Sequence, residues 1–166
     1  MSNYAFIDAQ NLYYGIKSLG WKLDYRKFRI YLKEKYNVET AYLFMGKIAE
    51  YKHLYFALQK VGFRLCYKEV TITKDGSVKG NVDAELVLQT MIDYHNYDKA
   101  LIVSSDGDFC CLVNYLYNRD KLKLVMSPHI NTCSIFLKKA AKEKIIFLDT
   151  LRIKIEYKSK NKKAPH

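Results

Sequence analysis

Acidic residues are scarce in this chain, its cysteines lack metal-binding spacing, and long apolar runs are missing. Across 166 residues, 17 Asp and Glu face 28 Lys and Arg, a formal net charge of +11. That imbalance favours a polyanionic partner, because phosphate contacts release counterions and drive affinity. Cys66, Cys110, Cys111 and Cys133 contain no CxxC spacing. They argue against a zinc site or disulfide framework and read as buried free thiols of a reducing compartment. No apolar run reaches the about 18 residues of a membrane span. The opening MSNYAFIDAQN has no charged segment leading into an apolar stretch, so no signal peptide is expected and the expected location is cytoplasmic. P-loops, GxGxxG and serine nucleophile elbows are also absent. His53, His95, His129 and His166 share no spacing that suggests a metal or catalytic pair.

Apolar residues make up 49% of the chain, enough for a real core. Short apolar runs alternate with amphipathic segments, the pattern of βα units around a parallel sheet. Strands are predicted over about 4–8, 40–45, 63–68, 100–104, 122–126 and 145–148. Helices are predicted over about 11–18, 25–36, 50–61, 83–94, 109–118 and 134–142. Asp24 is placed to cap the second helix, and Leu54, Leu58 and Val61 form the apolar face of the third. Lys74-Asp75-Gly76 between alternating residues predicts a hairpin that interrupts the βα rhythm just before Asp83. Residues 1–152 read as one domain and 153–166 as a basic, disordered tail.

The acids that are present fall at strand ends. Asp8 closes Tyr4-Ala5-Phe6-Ile7, Asp106 and Asp108 follow Ala100 to Ser105, and Asp83 opens an apolar helix. In open α/β sheets, ligands bind beyond the carboxyl ends of strands where the strand order reverses. Neighbouring first and fourth strands would therefore gather these acids into one crevice. At about 4 Å and an effective dielectric near 20, each carboxylate pair repels by on the order of 4 kcal/mol. The cluster thus points to a cation, and a cation in a basic protein points to phosphate chemistry. Taken singly, Asp8 or Asp83 reads as a helix cap, and Asp106-Gly107-Asp108 as a turn. Asn11 and Ser104 are candidates to hold a carboxylate or a substrate phosphate, and Lys47 and Lys79 to contact phosphate. Most of the 15 tyrosines sit at core spacing; Tyr13, Tyr14 and Tyr67 are the ones to check for exposure as base-stacking rings.

At Phe6-Ile7-Asp8-Ala9-Gln10-Asn11-Leu12-Tyr13, Lys79-Gly80-Asn81-Val82-Asp83 and Ser104-Ser105-Asp106-Gly107-Asp108-Phe109, the chain resembles the NYN domain family, LabA-like branch, of the PIN-like nuclease superfamily. The resemblance covers about residues 3–150. It implies a Rossmann-like three-layer α/β/α fold with a parallel sheet ordered 3-2-1-4-5, and Mg²⁺- or Mn²⁺-dependent ribonuclease chemistry. Asp8, Asp83, Asp106 and Asp108 match its acidic positions, and Asn11 its first-block polar position. The chain departs from the family at Gln89 and Lys142, where relatives tend to carry acids, at Ser105 in place of glycine, and at Cys110-Cys111, where a proline is common.

These readings converge on a ribonuclease in which Asp8, Asp83, Asp106 and Asp108 hold Mg²⁺ or Mn²⁺ through the oxygen ligands such ions prefer. RNA, single-stranded or structured, is the expected partner. The alternatives are a catalytically degenerate RNA-binding or scaffold module of the same fold, and a phosphoryl hydrolase. A homodimer is compatible with the chain, but no residue argues for one.

Overall fold

Strands that read as unbroken apolar runs need cover on both faces. In the computed structural model, Ala5, Phe6, Ile7 and Ala100 to Val103 are fully buried. The structure describes residues 1–76 and 78–160, apart from the side chains of Ala49, Val78 and Lys79. The elements run β1 (Asn3–Asp8), α1 (Ala9–Ser18), α2 (Tyr25–Tyr36), β2 (Val38–Lys47), α3 (Lys52–Lys60) and β3 (Phe63–Glu69). A small hairpin, β4 (Thr71–Ile72) and β5 (Val78–Lys79), precedes α4 (Asp83–Ile92) and β6 (Ala100–Val103). The chain continues through α5 (Cys110–Asn118), β7 (Leu122–Ser127), α6 (Ile135–Ala141), β8 (Ile145–Phe147) and α7 (Arg152–Ile155).

Six strands form one parallel sheet in the order β3-β2-β1-β6-β7-β8. Numbering only these strands gives 3-2-1-4-5-6, the expected order with β8 added at the edge. Alternate β1 residues feed two cores. Ala5 and Ile7 pack with Leu12, Ile16, Phe28 and Leu32, while Phe6 packs with Leu86, Ile102, Val113 and Leu137. Helices therefore cover both faces, giving three α/β/α layers. The order reverses at β1, which pairs with β2 on one side and β6 on the other, so the crevice predicted to bind ligand lies at its carboxyl end.

Several local signals match the structure. Asp24 Oδ1 accepts the Lys27 N–H at 3.0 Å and caps α2. The Asp75-Gly76 turn joins two antiparallel strands. Others differ for physical reasons. α1 starts at Ala9, directly on β1, because Asp8 itself caps it. Leu54 is exposed instead of facing the core: α3 covers β3 at the sheet's edge, where only Leu58 reaches deep apolar cover. Of the four thiols, only Cys133 is buried, and Cys111 is exposed.

The expected tail boundary at 152/153 falls inside α7. Ile155 is fully buried in the core, Leu23 and Glu156 form an antiparallel bridge, and the Tyr157 N–H reaches Lys22 O at 2.8 Å. An apolar residue at 155 with a place in the core outweighs the basic composition around it. Residues 161–166 lie outside the described residues. Ile155→Ala is expected to cost about 2–5 kcal/mol of stability. Urea denaturation would show it, and a loss below about 0.5 kcal/mol, the range of ordinary surface changes, would count against this seat. Among the described residues, no helix is long and apolar enough to cross a membrane.

Candidate metal centre

Three chain segments deliver carboxylates to the carboxyl edge of the sheet. Asp8 ends β1, and its Oδ1 accepts the Asn11 N–H at 3.2 Å. Asp83 begins α4, and its N–H donates to Asn81 Oδ1 at 2.7 Å. Asp106 follows β6 and opens a 3₁₀ turn over Gly107–Phe109, with its Oδ1 accepting the Asp108 N–H at 2.9 Å. The cap role of Asp8 and the turn role of Asp106 are real, whereas Asp83 does not cap α4: Val82 holds that position without a side-chain hydrogen bond.

Oxygens of Asp83, Asp106 and Asp108 lie within 4.8 Å of one another. Asp8 stands beside this trio and borders the same cleft of about 510 Å³ with Asn11, Asn81, Asp83, Ser105 and Asp106. Burial pushes the Asp8 carboxyl up from its ordinary 3.8 to about 6; the Asn11 backbone opposes the shift, while the charges of Asp83 and Asp106 add to it. Asp83 is raised by the same causes, burial first and then its acidic neighbours, against the pull of Asn81. Its Oδ2 is buried without a hydrogen-bond partner among the described residues. Converging carboxylates, an unpaired buried oxygen and raised acid pKa values fit a hard divalent cation, which takes oxygen ligands.

The wall of the cleft is cross-linked. Asn11 Nδ2 donates to Ser105 Oγ at 2.9 Å, and the Ser105 N–H donates to Asn11 Oδ1 at 2.9 Å. This pair ties the start of α1 to the end of β6, so Asn11 serves the site by fixing its frame. Gly107 lets the 3₁₀ turn approach α6, since a Cβ there would lie 2.4 Å from Ser134 Oγ. On the far side, Lys68 Nζ donates to Asn81 O at 2.7 Å and pairs with Glu85 Oε1 at 3.1 Å. Lys68 and Asn81 thereby seat the start of α4. Neither was singled out from sequence, although an asparagine two residues before a helix-opening acid is a recognisable local capping pattern.

Other candidates fall elsewhere. Ser104 is fully buried, and its Oγ accepts the Asp106 N–H at 3.1 Å, so it supports the turn and cannot touch substrate. Lys47 is exposed at the end of β2, with Nζ 5.9 Å from the Tyr67 ring, and does not line the cleft. The Lys79 side chain lies outside the described residues. Gln89 turns away, donating to Asp93 Oδ2 at 2.8 Å. Lys142 ends α6, with Nζ 4.5 Å from the Tyr117 ring. Tyr13, Tyr14 and Tyr67 are all exposed.

A three-layer sandwich with an acidic cleft at the switch point of its parallel sheet is an arrangement consistent with a PIN-like fold. The chain belongs to the NYN domain family, which it matches over residues 4–149. Over 114 residues it is 28% identical to the low amplitude and bright protein LabA of Synechococcus elongatus, a match covering 63% of this chain and 61% of that protein. The match thus spans less than two thirds of that relative's length. The fold is also that of a solved protein of unknown function from Vibrio parahaemolyticus RIMD 2210633: TM-score 0.76, 24% identity, 94% of this chain and 96% of that one covered.

Proposed function

We propose that this protein is a metal-dependent ribonuclease that hydrolyses RNA phosphodiester bonds at the Asp8, Asp83, Asp106 and Asp108 cleft, with Mg²⁺ or Mn²⁺ as cofactor. The observation that carries this reading is the convergence of the Asp83, Asp106 and Asp108 oxygens within 4.8 Å, beside an Asp8 whose carboxyl sits at about 6. The net charge of +11 supports a polyanionic substrate.

Asp83, Asp106 and Asp108 would hold the ion, with Asp8 completing the donor set. When bound, such an ion supplies water activation and neutralises charge developing on the phosphoryl oxygens. Asp8 would give up its proton as the cleft is loaded, so cation affinity should rise with pH around 6. Asn11 and Ser105 hold β1 and β6 in register through that change. Surface lysines would follow the phosphate backbone without reading sequence.

The test is cleavage of single-stranded and structured RNA in Mn²⁺ or Mg²⁺, against EDTA, for the wild type and Asp106→Asn. Cleavage is expected in wild type with metal, greatly slowed in Asp106→Asn and absent in EDTA. Equal cleavage by both proteins would sink the assignment, and salt-sensitive binding without cleavage would point to a binding module of the same fold.

A further inference from the structure

Tyr14 is 57% exposed, yet it lines the same cleft as Asp8, Asp83 and Asp106. It lies one helical turn beyond Asn11, the residue cross-linked to Ser105 just before Asp106. Its neighbour Tyr13 meets it edge-on, with ring centroids 5.2 Å apart at 74°. Lys17 Nζ lies 5.7 Å from the Tyr13 ring centroid. The helix under the pair has no room to slide. Gly15 faces Pro128 so closely that a Cβ would lie 2.4 Å from Pro128 Cγ. Tyr14 thus sits on a closely packed helix, with Tyr13 edge-on to its ring, and remains exposed beside the cleft.

We infer that Tyr14 is a nucleobase subsite: its open face stacks one unpaired base of the RNA chain whose phosphate enters the acidic cleft. The polymer's identity rests on the ribonuclease reading above; the stacking surface rests on Tyr14 itself. The two ends of the cleft differ in the way a nucleotide does. Converging carboxylates suit a cation-bridged phosphate, and the exposed aromatic face suits a flat, weakly polar ring. A paired base already has both faces covered, so only an unpaired one can lie on Tyr14. Every base has a π face, so the subsite tolerates any sequence. Tyr14 is a positioning residue: it sets where the chain lies relative to the carboxylates and takes no part in bond breaking.

The experiment measures anisotropy of a short fluorescein-labelled single-stranded oligoribonucleotide in Ca²⁺, a hard cation that takes oxygen ligands and can bridge the phosphate, with the probe shown intact on a gel afterwards, alongside a duplex of the same sequence. Stacking on one ring is worth about 1–3 kcal/mol, so Tyr14→Ala is expected to weaken single-strand binding by roughly 5- to 100-fold. Tyr14→Phe should restore it, and duplex binding should change little. Wild-type affinity in Tyr14→Ala, or an equal loss for the duplex, overturns the subsite. A parallel thermal melt shows whether Tyr14→Ala is folded, and Tyr14→Phe carries the comparison if it is not: weakened single-strand binding by a folded Tyr14→Phe also overturns the subsite. The two readings fail separately. Wild type that binds single strands through Tyr14 but never cleaves them in Mn²⁺ refutes the nuclease alone. Wild type that cleaves, with Tyr14→Ala binding unchanged, refutes the subsite alone.

Discussion

Asp106→Asn is expected to lower RNA cleavage by on the order of 10²–10³-fold while leaving the fold intact, since loss of one preorganised electrostatic contact costs about that much. Asp106 stands at the centre of the site. Its backbone is held by Ser104, its Oδ1 holds the Asp108 N–H, and its carboxylate belongs to the converging trio. Asparagine keeps the oxygen that accepts from Asp108, so the turn persists and only the charge is lost. A second readout needs no substrate. Mn²⁺ at about 100 times its Kd should stabilise wild type by about 2.7 kcal/mol, a Tm rise of several degrees for a domain of this size. Asp106→Asn should lose most of that rise. An equal Mn²⁺ shift in both proteins would show that the ion binds elsewhere.

Asp8→Asn should make the metal-free protein more stable, with a gain that grows with pH. Asp8 is 7% exposed and its carboxyl sits at about 6 in the folded chain against its ordinary 3.8. Below pH 3.8 both states hold the proton, and nothing is lost. As pH rises through about 6, the folded state keeps a proton that the unfolded state has released, so Asp8 erodes stability and the loss is complete above that pH. At about 1.4 kcal/mol per pH unit, the penalty at neutral pH approaches 3 kcal/mol. Asparagine removes the charge and retains an oxygen for the Asn11 N–H. Denaturation in urea with EDTA should show a gain about 2 kcal/mol larger at pH 7.5 than at pH 4.5. A pH-independent gain would contradict the origin assigned to the shift. The same substitution should depress cleavage, the trade between stability and activity expected where a site gathers like charges.

Strand ends carried most of what the sequence revealed about the site. Asp8 and Asp106 were placed because apolar runs stop at them, and the parallel sheet then put those ends side by side. Interactions between distant segments were beyond reach. The Asn11–Ser105 cross-link joins residues 94 apart, and no local pattern announces it. Ser104 reads as available from composition alone, but the turn that needs its oxygen also buries it. The position of Asp8 beside the trio depends on how far α4 and the 3₁₀ turn project past β1, which periodicity does not encode. Ile155 shows the same limit: its polar, basic neighbours mask an anchor that only the docked core makes visible.

The chain's single tryptophan, Trp21, is 6% exposed and donates its indole N–H to Asp149 Oδ1 at 3.0 Å. The two residues are 128 positions apart, so the bond exists only when the chain's two ends have met. Arg152 stands over the same ring at 5.9 Å. The protein therefore carries a built-in optical reporter: intrinsic fluorescence from one indole follows closure of a loop that spans most of the chain. In stopped-flow refolding, that signal timed against Mn²⁺ capture would order two events, the docking of the ends and the assembly of the carboxylate cleft.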